Sequence, residues 1–186
     1  MLDPDILSPE HSGVGADTKG QGRIVVLHPD LAVEIRETGV TVPNGLCWGP
    51  DERVLYIADS RERTILACDY DIESGRVSGE RVFARADDGG MPDGMCMDAE
   101  GCLWNARHGS GRLVRYRPDG AVARIVPLPV FRPASLAFGG DRLETLYVAT
   151  ASQGLSAREL EREPLAGMVL AVDVGVRGLP PAMFSG

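Results

Sequence analysis

The chain is poor in positive charge: 19 Lys and Arg stand against 27 Asp and Glu among 186 residues, a formal charge of −8 with a pI near 4.9. Partners that select basic patches, such as nucleic acid and anionic membranes, are therefore not expected. No apolar run reaches the roughly 18 residues of a membrane-spanning helix, and the opening Met1-Leu2-Asp3-Pro4-Asp5 is acidic where a secretory leader is basic. A cytoplasmic protein is expected. The four cysteines, Cys47, Cys68, Cys96 and Cys102, show no Cys-x-x-Cys spacing, which excludes zinc knots and redox motifs and leaves buried free thiols. There is no Gly-x-Ser-x-Gly elbow or Cys-His pairing for acyl-enzyme chemistry. The glycines Gly13, Gly15 and Gly20 follow no strand and lead into no Gly-Lys-Ser/Thr, so they are not a phosphate loop. Helix signals are nearly absent, apart from Ser156 to Glu163, read as a turn or two in a long loop.

What the chain does have is a repeat. Residues 42–60 run Val-Pro-Asn-Gly-Leu-Cys-Trp-Gly-Pro-Asp-Glu-Arg-Val-Leu-Tyr-Ile-Ala-Asp-Ser, and the same plan returns at 91–108 and 132–151. Each copy sets a proline and a small polar pair before a short apolar strand, then a turn, then a second strand opened by Leu and an aromatic. The prolines at 43, 92 and 133 lie 49 and 41 residues apart, the period of a four-stranded propeller blade. A hairpin follows each copy: Thr64 to Asp71 with Arg81 to Arg85, Arg112 to Tyr116 with Ala121 to Val126, and Met168 to Val174 before Phe184. One more, around His28-Pro29-Asp30, precedes them all.

The fold expected is all-β, a β-propeller of the six-bladed type present as an incomplete ring of about three and a half four-stranded blades. Residues 1–20 read as a flexible arm and 21–186 as the propeller domain, with a half blade at 21–41 and blades at about 42–90, 91–130 and 131–186. A six-bladed ring takes on the order of 270 residues. The first hairpin is accordingly read as the outer half of a blade whose inner half would lie upstream of Met1.

Asn44, Asp93 and Ala134 hold one position in three successive blades, just before the innermost strand, where side chains converge on the axis. Convergent oxygens suit a hard cation, although one amide and one carboxylate form only part of a calcium shell. Pro118-Asp119-Gly120 is the internal control: that tripeptide joins two strands of a hairpin as a turn, whereas Pro92-Asp93-Gly94 opens a strand in step with Pro43-Asn44-Gly45. Ser135, one place beyond the matching position of the third blade, could offer a hydroxyl to substrate or to a group around the ion. Asp59 and Ser60 read as a strand-ending turn, and His108, beside Gly109-Ser110-Gly111, as a loop residue.

Pro43-Asn44-Gly45-Leu46 with Trp48 and Pro50-Asp51, Leu55-Tyr56 with Asp59-Ser60, Pro92-Asp93-Gly94, Phe138-Gly139-Gly140, Leu146-Tyr147-Val148 and the tail from Leu165-Ala166-Gly167 together resemble the C-terminal three fifths of the gluconolactonase, regucalcin and senescence-marker-protein family. The resemblance implies a six-bladed propeller holding one divalent cation, calcium or zinc, and a metal-dependent hydrolysis of small lactones, with a lactone or sugar acid as substrate. It puts the family's metal-binding Asn on Asn44 and its metal-binding Asp on Asp93, which would also orient or deprotonate the attacking water. The family's Glu ligand and its substrate-contacting Arg and Asn have no counterpart in this sequence. Weak metal affinity and low activity are therefore expected of the chain alone, with self-association of incomplete propellers as a further partner. The alternative is a propeller that binds a small molecule or a protein without turnover.

Overall fold

The computed structural model describes residues 19–37, 39–87 and 89–180. Residues 1–18, most of the expected arm, and Phe184 lie outside the described residues. The strands are β1 Arg23–Leu27, β2 Val33–Glu37, β3 Pro43–Trp48, β4 Val54–Asp59, β5 Thr64–Asp71, β6 Arg76–Arg85, β7 Met91–Met97, β8 Leu103–His108, β9 Arg112–Tyr116, β10 Val122–Pro127, β11 Pro133–Gly139, β12 Thr145–Thr150 and, after helix α1 (Ala157–Arg162), β13 Val169–Asp173. They form antiparallel sheets in sequence order: β1-β2, β3-β4-β5-β6, β7-β8-β9-β10 and β11-β12-β13. The chain is all-β with propeller architecture, as its repeat requires, and the ring is open among the described residues.

Period-2 alternation explains how the sheets stack, because successive side chains of a strand face opposite neighbours. In β4, Leu55 and Ile57 join Ile24, Val40, Leu66 and Cys68 on the side of the first hairpin. Tyr56 and Ala58 turn the other way and meet Met95, Met97, Leu103 and Val114 of the next sheet. β8 repeats the device: Leu103 faces back while Trp104 and Ala106 face forward onto Leu136, Leu146 and Val148. A strand buried on both faces reads as an unbroken apolar run, hence Val-Leu-Tyr-Ile-Ala in β4, whereas β12 buries Leu146 and Val148 and leaves Tyr147 exposed.

Asp98 fastens the β7-β8-β9-β10 sheet. Fully buried, its carboxylate accepts from the backbone N–H groups of Glu100 (2.9 Å) and Cys102 (3.0 Å), from Trp104 Nε1 (2.8 Å) and from Arg115 Nε (2.7 Å). The free thiols lie buried or half-buried, and burial pushes Cys47 up to about 12 and Cys68 to about 11.

Two local expectations need correction. β6 begins at Arg76, five residues before the expected start, because the strand passes Gly79 as an irregularity in its pairing with β5. The positive φ of 62° at Gly79 permits it. His108 is the last residue of β8, paired with Met91, and not part of a loop. The expected helical turn is α1, whose Ser156 and Glu159 make a reciprocal capping box. Among the described residues no helix is long and apolar enough to cross a membrane.

Candidate active site

Each innermost strand carries a bulge at the same place. Pairing slips between Pro43 and Leu46 in β3, between Pro92 and Met95 in β7, and between Pro133 and Ser135 in β11. A bulge releases residues from the ladder and re-aims their side chains. The residues released are Asn44-Gly45, Asp93-Gly94 and Ala134, so the polar pair in the repeat is the part of the strand that does not pair.

The glycines have a separate role. A Cβ on Gly94 would lie 2.7 Å from Ser135 Cα, and one on Gly45 would run into the carbonyl of Asp93. Each glycine lets its strand approach the innermost strand of the next sheet more closely than any side chain would. That approach brings Asn44 and Asp93 together. The Asn44 side chain lies beside the Asp93 carboxyl and favours its ionised form, and its Nδ2 donates to Ser60 Oγ at 3.2 Å. Ser60 Oγ in turn donates to the Pro92 carbonyl at 2.8 Å, joining the two sheets.

These groups line a cavity of about 360 Å³ together with Val42, Arg61, Met91 and His108. Burial dominates the electrostatics of Asp93, pushing its carboxyl up to about 6 against the opposing hydrogen bonds from Gly94 N–H and Asn44. His108 Nδ1 is buried with no hydrogen-bond partner among the described residues. Burial, and then the charge of Arg132, hold the imidazole below its usual range and favour the neutral ring. Ser135 is exposed, packs on Gly94 and is not among the residues lining this cavity.

An amide and a desolvated carboxyl in contact suit a hard cation, because the charge that burial penalises on Asp93 is the one an ion would compensate. Among the described residues no three His, Cys, Asp or Glu side chains gather as a metal cluster. A calcium shell takes about six to eight oxygens, more than these two side chains carry. As placed, Asn44 Nδ2 is taken up by Ser60, which leaves Oδ1 as the atom of the amide able to meet a cation.

Sequence reasoning treated Asp59 and Ser60 alike, but the structure separates them. Asp59 is buried and accepts from the backbone N–H groups of Thr41 (2.7 Å), Val42 (3.2 Å), Arg61 (3.1 Å) and Glu62 (3.2 Å), shaping the chain on both sides of β4. Ser60 reaches Asn44 instead. The reading also missed Asn105 and Arg107, buried on β8 behind Asp93. A signal existed for Asn105, whose counterparts in the other copies are Ile57 and Val148; Arg107 stands where those copies carry Asp59 and Thr150 and gave none.

Residues 10–152 match the model of the SMP-30/Gluconolactonase/LRE-like region. The chain is similar to regucalcin of Bos taurus, 37% identical over 169 residues that cover 89% of this chain and 56% of the bovine protein. It thus spans little more than half the length of the curated relatives it matches. Among solved structures it is similar to a calcium-binding protein, regucalcin, from Agrobacterium tumefaciens, with a TM-score of 0.81, 27% identity and coverage of 89% of this chain and 57% of that one. It is also similar to a gluconolactonase from Xanthomonas campestris, with a TM-score of 0.59, 27% identity and coverage of 68% and 41%.

Proposed function

Because the chain belongs to the SMP-30/gluconolactonase/LRE-like family, we propose that it contributes Asn44 and Asp93 to a divalent-cation site that serves the hydrolysis of a small lactone. The observation that carries this reading is the contact between the Asn44 amide and the Asp93 carboxyl in a shared cavity, made by two residues from equivalent places in successive sheets. When bound, calcium or zinc supplies Lewis-acid polarisation of an ester carbonyl.

The chain's own groups would do the rest. Asp93, with its carboxyl near 6, is largely ionised at neutral pH and close enough to the working range to take a proton from water. Ligation would lower that basicity, so holding the ion is its first role and orienting water its second. Ser60 and Arg61 offer a hydroxyl and a positive charge on the cavity wall to the hydroxyls and carboxylate of a sugar acid. Water or substrate oxygens would complete the shell alongside Asn44 and Asp93.

Calorimetric titration of the purified chain with Ca²⁺ and Zn²⁺, with gluconolactone hydrolysis followed by pH-stat, tests the proposal. Cation binding abolished by Asp93→Ala supports it. Binding unaffected by that substitution sinks it.

A further inference from the structure

The bulge that frees Asp93 leaves backbone carbonyls off the ladder, and a buried side chain receives them. Asn105 Nδ2 donates to the Asp93 carbonyl at 3.0 Å and to the Gly94 carbonyl at 3.1 Å. Asn105 Oδ1 accepts from Arg107 Nη1 at 2.7 Å. Arg107 Nη2 donates to the Tyr116 hydroxyl, and its guanidinium lies over the Tyr116 ring at 5.6 Å from the centroid. Asn105, Arg107 and Tyr116 are 0%, 1% and 3% exposed.

Their position makes this line of polar groups unusual. Along β8, Asn105 and Arg107 share a face with Leu103, which packs in the apolar layer against the preceding sheet. The internal repeat supplies the comparison. Asn105 pairs with Met95, the first residue after the bulge; its counterparts are Ile57, paired with Leu46, and Val148, paired with Leu136. Ile57 and Val148 are wholly buried apolar residues. The fold therefore takes an aliphatic side chain at this position in two sheets and an amide in the sheet that presents Asp93. A buried amide is costly unless its hydrogen bonds are made, and those of Asn105 go to the two residues of the bulge on one side and to Arg107 on the other.

We propose that Asn105, oriented by Arg107 and Tyr116, is a positioning residue that locks the Asp93-Gly94 bulge and thereby keeps the Asp93 carboxyl turned toward Asn44. The carbonyl of a peptide cannot rotate without carrying its neighbours, so two carbonyls held by one amide fix the backbone on both sides of Asp93 Cα. Arg107 matters because it occupies Oδ1 and so decides which end of the amide faces the bulge. Apolar packing alone would hold the strand in place but would leave these carbonyls unpaired. The consequence for a bound cation rests on the cation reading of Asn44 and Asp93; the locking of the bulge does not.

Two readouts on the full chain separate these. The first needs no ligand: Gly94 is buried within the bulge, so the hydrogen exchange of its N–H, followed by NMR, reports the bulge. Asn105→Val, which restores the aliphatic type of the sister sheets, should speed Gly94 exchange at least tenfold while Leu113 and Val114 on β9 exchange as in the wild type. Arg107→Met should give a smaller increase, and Arg107→Lys, which keeps a donor for Oδ1, should recover most of the protection. Should Asn105→Val not fold, Tyr116→Phe and the Arg107 pair carry the same test. The second readout is Ca²⁺ affinity by calorimetry, expected to weaken about tenfold in Asn105→Val and to recover in Arg107→Lys relative to Arg107→Met. Unchanged Gly94 exchange in folded Asn105→Val overturns the positioning role. A wild-type chain that binds neither Ca²⁺ nor Zn²⁺ but shows the Gly94 effect overturns the cation reading and upholds the lock.

Discussion

The Asn44 side chain and the Asp93 carboxyl share one cavity at the boundary between two sheets, each residue standing on the bulge of its own innermost strand. Both are placed by the same irregularity recurring in step, and the glycine after each lets the strands close up.

Removing either member of the pair should weaken cation binding unequally. Asp93→Ala deletes the charge and is expected to abolish measurable Ca²⁺ binding, while Asn44→Ala, which deletes a neutral oxygen, should weaken it by about tenfold. Calorimetry at pH 7.5 on both variants checks the order. Affinity in the wild type should also fall as pH drops below about 6, because protons compete for Asp93.

The raised carboxyl predicts a pH-dependent cost to the metal-free fold. Asp93 titrates near 6 when folded and near about 3.9 when unfolded, so the native state holds its proton more tightly. Stability from this group is full below pH 4 and is lost as pH rises through 4 to 6. Asp93→Asn should therefore match the wild type near pH 4 and exceed it by about 1–2 kcal/mol above pH 6.5, allowing for screening by solvent. Thermal unfolding in chelator at the two pH values decides; a variant less stable than wild type at pH 7.5 would contradict the desolvation argument.

Gly94→Ala should separate the sheets. Its Cβ would lie 2.7 Å from Ser135 Cα and 2.9 Å from the Ala134 carbonyl, and backbone cannot move aside as a flexible side chain does. A loss of about 1–3 kcal/mol is expected. Cation binding should fall with it, since the bulge bearing Asp93 would shift. Gly89→Ala serves as the comparison: nothing lies within 4 Å of its Cβ, and only its positive φ of 86° opposes the change.

Asp98→Ala should be the most damaging of these substitutions while touching no part of the site. It strands the Trp104 indole N–H and the backbone N–H of Cys102, and it deprives the largely buried Arg115 of its carboxylate partner at 2.7 Å. About 3–5 kcal/mol of destabilisation is expected, visible as a large fall in Tm. Asp98→Asn keeps an acceptor for the N–H groups and should lose less.

Much of this protein could be read from the order of its residues, because a repeat writes its geometry more than once. The spacing of Pro43, Pro92 and Pro133 announced a propeller, and the Leu-aromatic pairs Leu55-Tyr56, Leu103-Trp104 and Leu146-Tyr147 announced the second strand of each copy. Asn44 and Asp93 stood out by comparison of one copy with the next. What sequence could not supply was contact between copies. That Gly94 packs on Ser135 and that Ser60 bridges Asn44 to the Pro92 carbonyl depend on distances between strands far apart along the chain, and that Asn105 reaches the Asp93 carbonyl depends on the bulge within its own hairpin. Local propensity and periodicity fix which way a side chain points from its own strand. Only the packing of one sheet against the next decides what it meets there, and so whether a buried amide is a fault in the core or a support for a carboxylate.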